Sequence, residues 1–226
     1  MYKKTAVILI ALTLLMSITL TQTTQAQNPQ ISVGVKVGDW IEYNISTTGT
    51  PIPGHDITYA RMEIIEVQGT AIKANVTSIA DNGTESTITR SFNLQEGDIQ
   101  AWVIIPANLG PGDSFYDASS GGNITIQGEN QKTFAGATRT ITYVNQTDRQ
   151  KQWDKATGVF VTTNDILSNY TVSATATATN MWSPQILGLD QSIFYAVVGI
   201  VVVVVIAVVA AVVLLARRKK IATRKK

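Results

Sequence analysis

Apolar and polar positions divide the chain into three parts. Apolar runs lie near both ends, at 6–20 and 193–216, and the stretch between them alternates with a period of two instead of the 3.6-residue period of a helix. The alternation recurs at 35–46, 56–68, 70–80, 84–94, 99–106, 123–127, 132–145, 158–164 and 170–182, and each segment predicts a strand. Turn residues fall between them. Asp81-Asn82-Gly83 predicts a tight primed hairpin, because asparagine and glycine tolerate positive φ, and Gln68-Gly69 and Gly128-Glu129-Asn130 predict shorter ones.

The expected fold class is all-β and antiparallel. The lengths of 132–145 and 170–182 exceed the usual five or six residues of a strand, which favours a strongly curved sheet or open half-barrel, with a β-sandwich as the alternative. In the last segment Val172, Ala174, Ala176 and Ala178 share one face, and Thr171, Ser173, Thr175, Thr177 and Thr179 share the other. So small an apolar face needs a bulky filler, drawn from Trp40, Trp102, Trp153, Phe92 and Phe134, or else it lines a cavity.

One charged cluster, Lys151, Asp154 and Lys155 around Trp153, raises the question of a site. Asp154-Lys155-Ala156-Thr157-Gly158 joins two alternating segments, aspartate can bond its own backbone two residues on, and Gly158 supplies the permissive φ. The charges therefore read as part of a hairpin turn.

The two ends carry a different message. Residues 1–26 combine Lys3 and Lys4, a short apolar run and small residues up to Ala26, the pattern of a cleaved secretory signal; an uncleaved anchor is the alternative. Residues 193–216 contain no charge and eleven valines. As a helix at ~1.5 Å per residue they would measure about 36 Å, enough to cross a bilayer with some tilt. Phe194 and Tyr195 are expected at one interface, and Arg217, Arg218, Lys219 and Lys220 mark the other as cytoplasmic. The expected order is signal peptide 1–26, extracytoplasmic β domain 27–182, juxtamembrane linker 183–192, transmembrane helix 193–216 and basic cytoplasmic tail 217–226. That places the protein in the cell membrane as a single-pass protein with its domain outside and its C-terminus in the cytoplasm.

The formal net charge of +2 hides an asymmetry, since residues 27–190 hold sixteen acidic and nine basic side chains while the remaining cations lie at the ends. An acidic domain has no footprint for a phosphate backbone, so nucleic acid is not an expected partner. The absence of cysteine removes disulfides, zinc–thiolate sites and cysteine nucleophiles, and the lone histidine, His55, removes most metal and triad chemistry. No phosphate loop, dinucleotide fingerprint or hydrolase motif occurs. Asp39 and Glu42 point to opposite faces of a strand, Gly38-Asp39-Trp40 and Gly112-Asp113-Ser114-Phe115-Tyr116 read as turns feeding strands, and a loose calcium site at Asp113 and Asp117 lacks any motif spacing. No catalytic residue, metal or cofactor is expected. One pattern does exceed chance: acceptor sites for N-glycosylation occur at Asn44, Asn75, Asn82, Asn123, Asn145 and Asn169.

The signal-like start, the VGDWIEY segment at 37–43 and the C-terminal span followed by arginines and lysines together resemble uncharacterised single-pass surface proteins of archaea. The stretch Tyr143 to Gly158 resembles the hairpin of envelope carriers of the lipoprotein-localisation type, which would imply a half-barrel whose concave face binds acyl chains; the span and the small alanines depart from that pattern. The expected function is a membrane-anchored, non-enzymatic surface domain that contacts an envelope glycan, a surface layer or a membrane protein. A carrier or sensor of a small apolar or lipid-like ligand is the alternative, and an envelope hydrolase comes third.

Overall fold

The structure, a computed structural model, describes residues 31–52 and 56–223, with side chains to Val213. The signal-like segment 1–26, His55, and the side chains of Arg217, Arg218, Lys219 and Lys220 lie outside what is described. Among the described residues the order is β1 (Trp40–Gly49), β2 (Ile57–Gln68), β3 (Ala71–Ala80), β4 (Glu85–Asn93), β5 (Ser114–Asp117), β6 (Gly122–Thr125), β7 (Gly128–Phe134), β8 (Ala137–Asn145), β9 (Arg149–Asp154), β10 (Phe160–Ile166), β11 (Tyr170–Thr179), β12 (Gln185–Ile186), β13 (Leu189–Asp190) and helix α1 (Gln191–Thr223).

Nine strands make one antiparallel sheet in the order β4-β3-β2-β1-β11-β10-β9-β8-β7. It consists of two meanders, β1–β4 and β7–β11, whose first and last strands pair at the centre. That seam runs from Ile41↔Thr179 to Gly49↔Tyr170, with a bulge at Glu42/Tyr43. The connection between the meanders, 94–127, carries the β5–β6 hairpin. It buries Leu94, Ile99, Trp102, Ile104, Ile105, Phe115 and Ile126 in one cluster with Ile41, Met62, Ile64, Ile72, Phe92, Trp153 and Val161 of the sheet. Each large side chain so buried contributes roughly 1.5–3 kcal/mol. Ala174 and Ala176, the small face of β11, are buried as well. Trp102, Trp153 and Phe92 are thus interior residues and Phe134 packs against them, whereas Trp40 is only half-buried, with the Arg61 guanidinium 4.2 Å from its ring centre.

The structure departs from the strand pattern in several respects. Segment 99–106 is not a strand. Gln100, Ala101 and Trp102 have φ of 45°, 55° and 66°, a left-handed turn closed by the Val103 N–H donating to the Ile99 carbonyl at 2.9 Å. A flat strand would bury alternate residues, whereas this turn buries Ile99, Trp102, Ile104 and Ile105 together. Segment 132–145 is two strands, broken by a primed turn at Ala135-Gly136 with φ of 46° and 79°; Gly128-Glu129-Asn130 begins β7 and is no turn. At Asp81-Asn82-Gly83 only Gly83 has positive φ, 81°, and its N–H donates to the Ala80 carbonyl, so the loop is the three-residue kind. Strands β5, β9, β12 and β13 lie outside the segments read as strands from the sequence, although the turn at 112–113 does feed β5.

After β11 the chain forms the short β12–β13 hairpin and enters α1. Gln191–Val213 of that helix is long and apolar enough to cross a membrane, at 23 residues and about 35 Å. Its valines are exposed along this length, which water would penalise and lipid would not.

Candidate functional site

The Asp154–Gly158 segment is the turn that its residues suggest. The Asp154 carboxylate (Oδ2) accepts from the Thr157 N–H at 3.0 Å and its hydroxyl at 2.9 Å, and the Gly158 N–H donates to the Asp154 carbonyl at 2.8 Å. Gly158 has φ of 71° and lies so close to the Ile105 carbonyl that a Cβ would collide with it. The charges do more than decorate the turn. Asp154 is 1% exposed and is sealed by Arg139 of β8, with Nε–Oδ1 at 2.8 Å and Nη2–Oδ2 at 3.2 Å. The guanidinium in turn lies 4.9 Å from the Trp182 ring centre. Lys155 pairs with Glu129 at 2.6 Å. Arg139, Asp154, Lys155 and Ala156, with Asn108, Gln131, Thr138 and Thr140, rim an open cleft of about 300 Å³. Its chemistry is hydrogen bonding and charge, suited to a polar surface group. The Arg139–Asp154 pair follows from the β8–β9 register, in which Ile141 faces Asp154. Reading Gln146-Thr147-Asp148 as a turn would have brought the two strands together.

A second polar cluster lies inside the core. Lys151, 3% exposed, donates from Nζ to the Ala101 carbonyl at 2.6 Å, and the Asp165 carboxylate is 4.0 Å away. Burial lowers its pKa to about 8, against the opposing pull of Asp165 and with a smaller push from Arg149. Trp153 Nε1 donates to the Trp102 carbonyl at 2.8 Å, and Trp102 Nε1 donates to Asp117 at 2.9 Å. Burial pushes Asp117 upward, but the bonds from Trp102 and from the Ser119 hydroxyl and amide outweigh it and hold the carboxyl below its usual value. The Trp102, Trp153 and Phe115 rings are 5.9–6.3 Å apart. All these groups clamp the left-handed turn at 100–102, whose carbonyls the sheet ladder cannot satisfy. They bind the connection to the sheet, with the Lys151 amine and the Asp117 carboxylate buried.

The other acidic candidates are likewise engaged with the protein. Asp39 accepts from the Lys36 N–H at 2.9 Å, Glu42 pairs with Arg61 at 2.8 Å, and Asp113 accepts from the Gly110 N–H at 2.7 Å. Among the described residues no cluster of three metal-ligating side chains occurs.

The acceptor asparagines are spread over the sheet, but not evenly. Asn44 lies on β1, Asn75 on β3 and Asn123 on β6; Asn82, Asn145 and Asn169 lie at the β3–β4 loop, the end of β8 and the β10–β11 turn. Five are exposed, and Asn75 is half-buried with its Oδ1 accepting from the Thr89 hydroxyl at 2.9 Å. Strand direction puts Asn82, Asn145 and Asn169 at one end of the sheet, and the Gly69, Ala135-Gly136 and Asp154–Gly158 turns at the other. The latter end is where β11 leaves for α1. Phe194 and Tyr195 occupy the first turn of that helix, their rings edge to face with centres 5.7 Å apart.

No family model matches the chain. No curated protein matches it either. Among solved structures, the siderocalin Ex-FABP, described as functioning through dual ligand specificities, is similar over 62% of this chain and 70% of that chain, with 8% sequence identity and a TM-score of 0.23.

Proposed function

We propose that the protein is a single-pass surface protein whose exported β domain binds a partner in the cell envelope and catalyses no reaction. The observation that carries this reading is the filled interior. Trp102, Phe115 and Ile126 of the connection pack into the cluster shared by both meanders, so recognition falls to the outer surface. We read the sheet as strongly curved, in the manner of an open half-barrel. Nine strands at ~4.8 Å spacing would be too wide, if flat, for one connection to cover, and flat sheets of this size are unusual.

The helix anchors the domain, and the basic residues Arg217 to Lys220 place the C-terminus in the cytoplasm. The acceptor asparagines Asn82, Asn145 and Asn169 then lie at the end of the sheet away from the membrane, and glycans on Asn82 and Asn145, beside the edge strands β4 and β7, would oppose edge-to-edge association. The open cleft beside Arg139 and Lys155 is the surface best equipped to hold a glycan or a polar protein surface.

Chemical crosslinking of intact membranes followed by pull-down tests the binding reading. A reproducible envelope partner is expected; its absence, together with turnover of a substrate by the purified protein, would overturn the proposal. Protease added to intact cells should remove the domain and spare a tag placed after Lys226. A digested tag with a surviving domain would invert the orientation. Native mass spectrometry addresses carriage of an apolar ligand, which would require Trp102 and Phe115 to leave the core. The mass of the protein alone is expected, and a co-purifying lipid-sized mass would favour the carrier instead.

A further inference from the structure

The segment between sheet and span is built as a foot. β12 and β13 pair through Gln185↔Asp190 and Ile186↔Leu189, and their two-residue turn is Leu187-Gly188, with φ of 54° and 79°. The base of this hairpin is tied to the domain: the Gln185 N–H donates to the Gly136 carbonyl at 2.7 Å, and the Gln185 side-chain oxygen accepts from the Thr138 N–H at 3.1 Å. The Gln191 N–H donates to the Pro184 carbonyl at 3.1 Å, which joins the start of α1 to the same base. The tip is left bare. Leu187 is 88% exposed and Leu189 42% exposed.

In water this tip is a poor choice of residues. The left-handed conformation at the first turn position suits asparagine or glycine, and a leucine there is strained. Two pairs are also too few to hold a hairpin together unaided. The leucine adds nothing to the protein interior, so its strain needs compensation from outside. The neighbouring element says where that lies. Leu187 is four residues from the start of α1, within about 13 Å at ~3.3 Å per residue, and each interfacial layer of a bilayer is roughly 5–8 Å deep.

We infer that the β12–β13 hairpin is a lipid-contacting foot, with Leu187 and Leu189 seated at the headgroup–acyl boundary of the bilayer that α1 crosses. The inference rests on the reading of α1 as a span. Held at its base by the β7–β8 turn and at its tip by lipid, the hairpin fixes the tilt of the domain. The Asn82 and Asn169 loops are then held away from the surface.

The chain has no cysteine, so one introduced cysteine is a unique labelling site. The full chain is reconstituted in phosphatidylcholine vesicles with a nitroxide at Leu187→Cys, at Asn169→Cys as the solvent reference, or at Val201→Cys as the reference within the helix. Collision with oxygen and with a water-soluble nickel chelate is read by power-saturation EPR. The oxygen-to-nickel ratio at Leu187→Cys is expected to exceed that at Asn169→Cys severalfold and to approach that at Val201→Cys. A ratio equal to that at Asn169→Cys, with Val201→Cys still lipid-like, would overturn the foot and leave the span standing. A water-like Val201→Cys would overturn the span, and the foot with it.

Discussion

Two glycines, both with positive φ, separate the two ends of the sheet. Gly83, φ 81°, closes the β3–β4 loop at the far end, and nothing lies within 4 Å of where its Cβ would be. That loop is held at its rim, with the Thr84 N–H donating to the Asn82 side chain at 2.9 Å and the Asp81 N–H to the Asp56 carbonyl at 2.8 Å. Gly158, φ 71°, closes β9–β10 at the helix side, pressed against the Ile105 carbonyl and beside the sealed Arg139–Asp154 pair. The first glycine stands clear of the rest of the fold and the second is pressed into it. Similar φ values therefore conceal unequal dependence on the rest of the fold.

The sharpest way to break this contrast is to put the same side chain at both glycines. Gly158→Ala is expected to cost on the order of 3–5 kcal/mol, from the left-handed penalty plus the collision, and Gly83→Ala about 1 kcal/mol. Denaturant unfolding followed by tryptophan fluorescence measures both, and equal losses would show that the surroundings of Gly158 do not matter. Next in size, Arg139→Ala leaves a buried carboxylate unpaired and is expected to cost about 3 kcal/mol. Lys73→Ala, which breaks the exposed pair with Glu66, should cost under ~1 kcal/mol.

A pH series reaches the core between the two ends. Lys151 titrates near 8 when folded and at its ordinary higher value when unfolded, so over that interval the unfolded chain binds more protons and stability rises with pH. A gain of about 2 kcal/mol between pH 8 and 10 is expected, and it should vanish in Lys151→Met. The series stops at 10 because Tyr43, whose phenol burial holds well above its usual value, reverses the trend beyond it. The smallest effect belongs to the far end: Asn145→Gln and Asn169→Gln should change stability by less than ~0.5 kcal/mol. Each should nonetheless increase the electrophoretic mobility of protein taken from its native membrane, and unchanged mobility would remove the glycan from the reading.

What could be read from the sequence was what is local. The period of two marks β1 to β4, β10 and β11, and Asp154 with Gly158 marks the turn into β10, because side chains a few residues apart decide those conformations. The left-handed turn at 100–102 could not be read, since the donors that hold it, Lys151 and Trp153, come from a strand about fifty residues away. Ala135-Gly136 escaped because alanine is a weak turn signal, and two-residue strands leave no period to detect at 185–190. The cleft depends on the β8–β9 register, so its cationic rim was visible only as scattered charges.

The central seam has a mechanical consequence. Helix α1 follows β11 by way of the short β12–β13 hairpin, and β11 is an interior strand with β1 on one side and β10 on the other. A pull through the helix acts along that strand, so the seam from Ile41↔Thr179 to Gly49↔Tyr170 and the shorter ladder to β10 are loaded in shear, with many hydrogen bonds sharing the force at once. Had the anchor followed β4 or β7, the same pull could have peeled an edge strand one bond at a time. The tether proposed for this domain would thus be joined to the strand best placed to resist such a pull.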